Sequence, residues 1–117
     1  MSIKLNDKAL THARTLVKEG KVVRDERDAW SEDAPSASDE NSFIDAHDFS
    51  GFAEWHLGVD SDESHDTKGR YSFPFGDFTK VHRCAVISLE SRAAQNDHDD
   101  IAKAAKNLLA LIDESAK

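Results

Sequence analysis

The chain has 117 residues, 38% hydrophobic and 32% charged, with a formal net charge of -8. That length supports one domain with a modest core, the single Cys excludes an internal disulfide, and no apolar run approaches the ~20 residues that cross a bilayer. The N-terminus, MSIKLNDKAL, lacks the apolar stretch of a signal peptide, so the expected setting is the cytoplasm, away from membranes.

The charge is unevenly spread. Residues 25–66 carry fourteen Asp/Glu against one Arg, whereas residues 67–95 carry five Lys/Arg against two acids. Phosphate binding needs a positive footprint, so the acidic total argues against duplex DNA as a default partner while leaving room for a local basic patch.

In chain order, residues 1–22 read as an N-terminal helix. Asn6 or Asp7 caps it, Leu5, Ala9, Ala13, Leu16 and Val17 form its buried face, and Gly20 ends it. Residues 23–67 form an acidic segment, partly irregular and partly helical. Within it Trp30 is expected to dock on the core and pin its loop. Ser38 caps a short helix to about His47, and Asp48 caps another that ends at Gly58 and buries Phe49, Phe52, Ala53, His56 and Leu57. Asp60, Asp62 and Ser64 resemble the start of a calcium loop, but His65 stands where Gly is required and Tyr71 where Glu is required, which excludes an EF-hand.

Residues 68–117 supply an aromatic segment and a helical hairpin. Tyr71, Phe73 and Phe75 alternate with Arg70, Ser72 and Pro74, which puts three aromatic rings on one face of an extended stretch. Pro74 demotes it to an edge or a strand-like loop, and no convincing second strand is available to pair with it. Asp77 then caps a central helix from about Phe78 to Gln95, in which His82 and Arg92 break the apolar arc. Asn96-Asp97 interrupts the chain. The last helix carries the stripe Ile101, Ala105, Leu108, Leu109, Ile112 and Ala116 and folds back antiparallel on the central one. The expected fold is therefore all-α: a compact bundle of four to five helices with an extended aromatic segment at about 70–76.

The strings DAW at 28–30, EWHLGVD at 54–60, RYSFPFGDFTKVHR at 70–83, SRAAQ at 91–95 and DIAKAA at 100–105 resemble those of a family of small uncharacterised bacterial proteins. Related Tyr-x-Phe-Pro-x-Gly segments occur in proteins encoded beside phage head genes. The resemblance implies a bacterial, cytoplasmic protein with a link to phage-derived genes, and it brings no activity and no site residues.

The chemistry legible in the residues is sparse. The six His include no pair at the i, i+4 spacing of a helical metalloprotease, and there is no Cys pair. His82 and Cys84, two residues apart on a helix, diverge by about 200° and should not share a metal. Neither a metal nor a cofactor is expected. Cys84 reads as a buried structural thiol. His82 reads as a core imidazole hydrogen-bonded to an acid, with proton transfer or ligand binding as the alternative. Arg92 needs a carboxylate partner if buried, or else marks an anion site. The strongest binding signal is the mixture of Lys68, Arg70, Tyr71, Phe73, Phe75, Lys80, His82 and Arg83, joined by Arg92. It supports three functions: a non-catalytic protein-interaction module using this surface or the acidic middle, single-stranded nucleic-acid or RNA binding through the same cations and aromatics, and a small enzyme using His82. Exposed rings favour the second, and buried rings with scattered cations favour the first.

Overall fold

The computed structural model describes residues 3–25 and 29–115. The elements are β1 (Ile3–Leu5), α1 (Asp7–Lys18), β2 (Val22–Val23), α2 (Trp30–Asp33), α3 (Ala37–Ala53), β3 (His56–Asp60), β4 (Tyr71–Pro74), β5 (Val81–His82), α4 (Arg83–Gln95) and α5 (Asp99–Ser115). The protein is thus a mixed α/β domain, and the all-α bundle expected from the sequence is incorrect.

Two sheets carry the correction. In the first, β3 lies between β1 and β4, antiparallel to both. Its residues, His56-Leu57-Gly58-Val59-Asp60, fit the end of an amphipathic helix by spacing. Tertiary pairing decides otherwise, because β1 and β4 each offer it a ladder of backbone partners. β4 therefore has the partner strand that the sequence did not reveal. Pro74 sits at its last position, opposite His56, where a missing N–H costs little. Gly58 faces Ser72, and a Cβ there would come within 2.6 Å of the Ser72 hydroxyl and 2.7 Å of the Phe73 ring. Only glycine lets the two strands approach this closely.

The second sheet is a parallel pair of two-residue strands, with Val22 opposite Val81 and Val23 opposite His82. It shortens the central helix. Residues 78–82 are not helical: Phe78 has φ +71°, and Asp77 accepts the Thr79 and Lys80 N–H groups in a tight Asx turn. Gly76 allows that turn, since a Cβ there would lie 2.3 Å from the Lys80 carbonyl. The helix begins at Arg83, with His82 at its N-cap.

Elsewhere pattern and structure agree more closely. α1 runs between Asn6 and the left-handed Gly20, with Ala9, Leu10, Ala13, Leu16 and Val17 buried. The acidic helix starts two residues earlier than expected, with Ser36 and Asp39 in a reciprocal capping box, and it breaks at Asp48 (φ 60°). α5 buries Ile101, Ala105, Leu108 and Ile112. It runs antiparallel to α4, as the cross-helix pairs Arg83–Asp113 and Glu90–Lys106 show. The core lies where α1, α4 and α5 cover the first sheet, with Phe75, Leu57, Val86 and Leu108 among its buried side chains. No helix among the described residues is long and apolar enough to cross a membrane.

Candidate functional sites

The aromatic segment faces inward. Phe75 is fully buried and stacks on Trp55 at 5.4 Å, and Phe73 is buried beside His98. Tyr71 is half-buried, and its hydroxyl donates to the His65 carbonyl. The neighbouring cations do not converge. Lys68 pairs with Glu40, Arg70 donates to the carbonyls of Asp60 and Glu63, and Arg83 pairs with Asp113 across the hairpin. Lys80 is exposed on its turn. Core burial of the rings and local acids or carbonyls account for this arrangement, and it offers no continuous basic and aromatic platform.

Two places do bring polar groups together. The first is a knot around His82, whose side chain is 7% exposed. Nδ1 lies 2.7 Å from Asp25 and Nε2 lies 2.8 Å from Asp77. Carboxylates only accept, so both ring nitrogens donate and the ring is an imidazolium. Burial works against this charge, but the hydrogen bonds that the ring donates to Asp77 and Asp25, with the charges of those carboxylates, outweigh it and raise the pKa. Asp77 is held below its ordinary value: its own desolvation opposes this, and the His82 bond with the Lys80 and Thr79 amides overcomes it.

The parallel register explains how Asp25 arrives there. Val22 opposite Val81 and Val23 opposite His82 bring this strand alongside β5, and Asp25 follows two residues after Val23. There Asp25 Oδ1 accepts the Cys84 N–H at 2.9 Å, and its other oxygen meets His82. Asp25 therefore caps the N-terminus of α4 from a distant part of the chain. Trp30 on α2 is half-buried, with its ring centroid 5.3 Å from that of His82. The expected divergence of His82 and Cys84 does not occur, because His82 precedes the helix instead of lying on it. Ligand atoms of Asp25, His82 and Cys84 all fall within 4.8 Å of one another.

The second place is an open cleft of about 640 Å³ lined by Ile3, Ser72, Phe73, Arg92, Asn96 and His98. Arg92 is exposed, and among the described residues no acid, of the middle segment or elsewhere, engages its guanidinium. The Ser72 hydroxyl is buried without a hydrogen-bond partner. Phe73 and Ile3 supply an apolar wall, and Asn96 and His98 stand in the turn between α4 and α5. Among the described residues no carboxylate lines the cleft, and Asp100 accepts the Leu5 N–H.

Sequence reasoning singled out His82, Arg92 and Phe73 but passed over Asp25, Ser72, Asn96 and His98 as site residues. Asp25 carried no signal, since it sits among thirteen other acids and reaches His82 only through a strand pair two residues long. Comparisons with known protein families, curated proteins and solved structures found no match.

Proposed function

We propose that the protein is a non-catalytic protein-interaction module of the bacterial cytoplasm. Its contact point is the Arg92 cleft, and the partner element is a chain terminus with a free carboxylate and an apolar last side chain. The observation that carries this reading is an exposed guanidinium without an acidic partner among the described residues, beside a buried unpaired hydroxyl and an apolar wall. A guanidinium matches a carboxylate in two parallel hydrogen bonds, and an unsatisfied buried hydroxyl gains from any ligand that pairs with it. A volume of about 640 Å³ suits a few residues, not a whole folded surface. A chain with a single cysteine fits a reducing compartment, and the resemblance to small bacterial proteins fits a module of this kind without adding an activity.

The other two readings have less support. Single-stranded nucleic acid needs exposed rings, and Phe73 and Phe75 are buried. General-base catalysis needs a ring nitrogen free to accept a proton, and both nitrogens of His82 are held by carboxylates.

The test is a titration of isotope-labelled protein with short peptides ending in an apolar residue, as free acids and as amides, followed by amide chemical shifts. The expected result is shifts at Ser72, Phe73, Asn96 and His98 with the free acids only, lost in Arg92→Gln. Equal binding of acid and amide, or no response to any peptide, rejects the proposal.

A further inference from the structure

We propose that Asp25, His82 and Cys84 form a binding site for one divalent transition-metal ion of the zinc type. This site is separate from the Arg92 cleft and does not depend on it. A ring nitrogen, a carboxylate oxygen and a thiol sulfur lie within 4.8 Å of one another, so small side-chain rotations bring all three to one ion with bonds of ~2.0–2.3 Å.

The fold holds these donors by three independent constraints. The β2–β5 register sets Val23, two residues before Asp25, opposite His82, the Cys84 N–H anchors one Asp25 oxygen, and His82 and Cys84 flank the first residue of α4. Asp77 meets the other ring nitrogen at 2.8 Å, which is the position of the outer carboxylate that orients a ligating histidine. With Asp77 on Nε2, the ring turns Nδ1 toward Asp25 and the shared centre. Cys84 is the second residue of α4, where the amide dipoles favour a thiolate.

The donor chemistry narrows the ion. A mixed N, O and S set suits Zn²⁺ and its neighbours, whereas Mg²⁺ and Ca²⁺ take oxygen ligands. Binding releases two protons, one from His82 Nδ1 and one from the Cys84 thiol. The charge of the cluster is unchanged by the exchange: an imidazolium, two carboxylates and a thiol become a dication, a neutral imidazole, two carboxylates and a thiolate. The surroundings that tolerate the first state electrostatically therefore tolerate the second. Three protein donors leave a fourth position for water or another ligand.

The experiment is a titration of chelator-treated full-length protein with Co²⁺, followed by displacement with Zn²⁺. The expected result is one cobalt per chain, with thiolate-to-cobalt charge transfer in the near ultraviolet and intense visible bands, both erased by zinc. Cys84→Ser removes the charge-transfer band, Asp25→Asn weakens binding, and Asp77→Asn lowers affinity by ~10–100-fold through loss of ring orientation. Arg92→Gln leaves the titration unchanged. Because the variants disturb a buried cluster, a second measurement uses only the wild-type chain: Zn²⁺ raises its melting temperature, Mg²⁺ does not, and a chelator reverses the effect. Absence of the thiolate band in wild-type protein overturns the proposal, as does retention of full affinity in both Cys84→Ser and Asp25→Asn.

Discussion

His82 and His56 are both buried, at 6% and 4% exposure, yet they occupy opposite electrical environments. His82 bridges two carboxylates and carries a charge. His56 lies among rings, with Phe52 at 4.4 Å and Tyr71 at 6.3 Å, and its Nδ1–H donates to the Phe52 carbonyl. Burial drives its pKa down to about 4, only partly opposed by that carbonyl. The same side chain is therefore a cation in the second sheet and a neutral aromatic in the first. What differs is the supply of acceptors. A buried imidazolium needs one at each nitrogen, and only His82 has two acids delivered to it.

The comparison can be broken most forcefully on the aromatic side. Phe52 is 1% exposed and packs on His56, Tyr71 and Phe78. Phe52→Ala should cost about 4 kcal/mol in urea unfolding; a loss under about 1 kcal/mol means that the aromatic nest is not a packed core.

The next effect is the pH dependence of His56. Unfolded, it takes a proton near 6.5, and folded only near 4, so between these values the unfolded state binds more protons. Its contribution is therefore full above pH 6.5 and is lost as pH falls toward 4, by about 3 kcal/mol in total. His82 acts in the reverse sense in the metal-free protein, stabilising below its unfolded pKa and fading as pH rises through its raised folded value. Subtracting the pH profile of His56→Leu from that of wild type isolates the first contribution. If the two profiles run parallel from pH 7.5 to 4.5, His56 is not held neutral.

On the polar side, Asp25→Asn keeps an acceptor but removes the charge facing His82, and should cost about 2 kcal/mol. Most of that loss should disappear when His82 is already Gln, because the two side chains share one interaction. Additive losses in the double-mutant cycle count against the knot. The smallest effect is expected just outside it, at the surface pair Arg83–Asp113, whose side chains are 32% and 53% exposed. Arg83→Ala should cost under about 1 kcal/mol, less at high salt. A larger loss shows that Arg83 supports the knot as well as the hairpin.

The limits of legibility fall along the same line. α1 and α5 were readable because each buries one continuous helical stripe, which is a local property of spacing. The break at Asp48 was readable for a similar reason, though the helix before it starts at Ser36 and not at Ser38. His56–Gly58 was misread as the end of a helix, and Val59 and Asp60 as the connector after it, because so short a run of mixed polarity satisfies a helix face and a strand equally well, and only the edges offered by Ile3–Leu5 and Tyr71–Pro74 choose between them. The start of α4 was misplaced by five residues, since Phe78–Val81 has helical spacing but is held in a turn by Asp77 and in a strand by Lys21–Val23. That error concealed the proximity of His82 and Cys84.

From the sequence by itself followed an acidic domain with a helix towards each end, an aromatic segment with its rings on one face, and a histidine out of place in its pattern. Each of these depends on composition or on residues within a few turns of one another. The sheets, the pairing of Asp25 with His82 and Cys84, and the cleft joining Ile3 to Arg92 and His98 were decided only by tertiary structure. Apart from the β3–β4 pairing, they bring together segments more than fifty positions apart, and contacts at that separation depend on how the whole chain closes, which no local periodicity encodes.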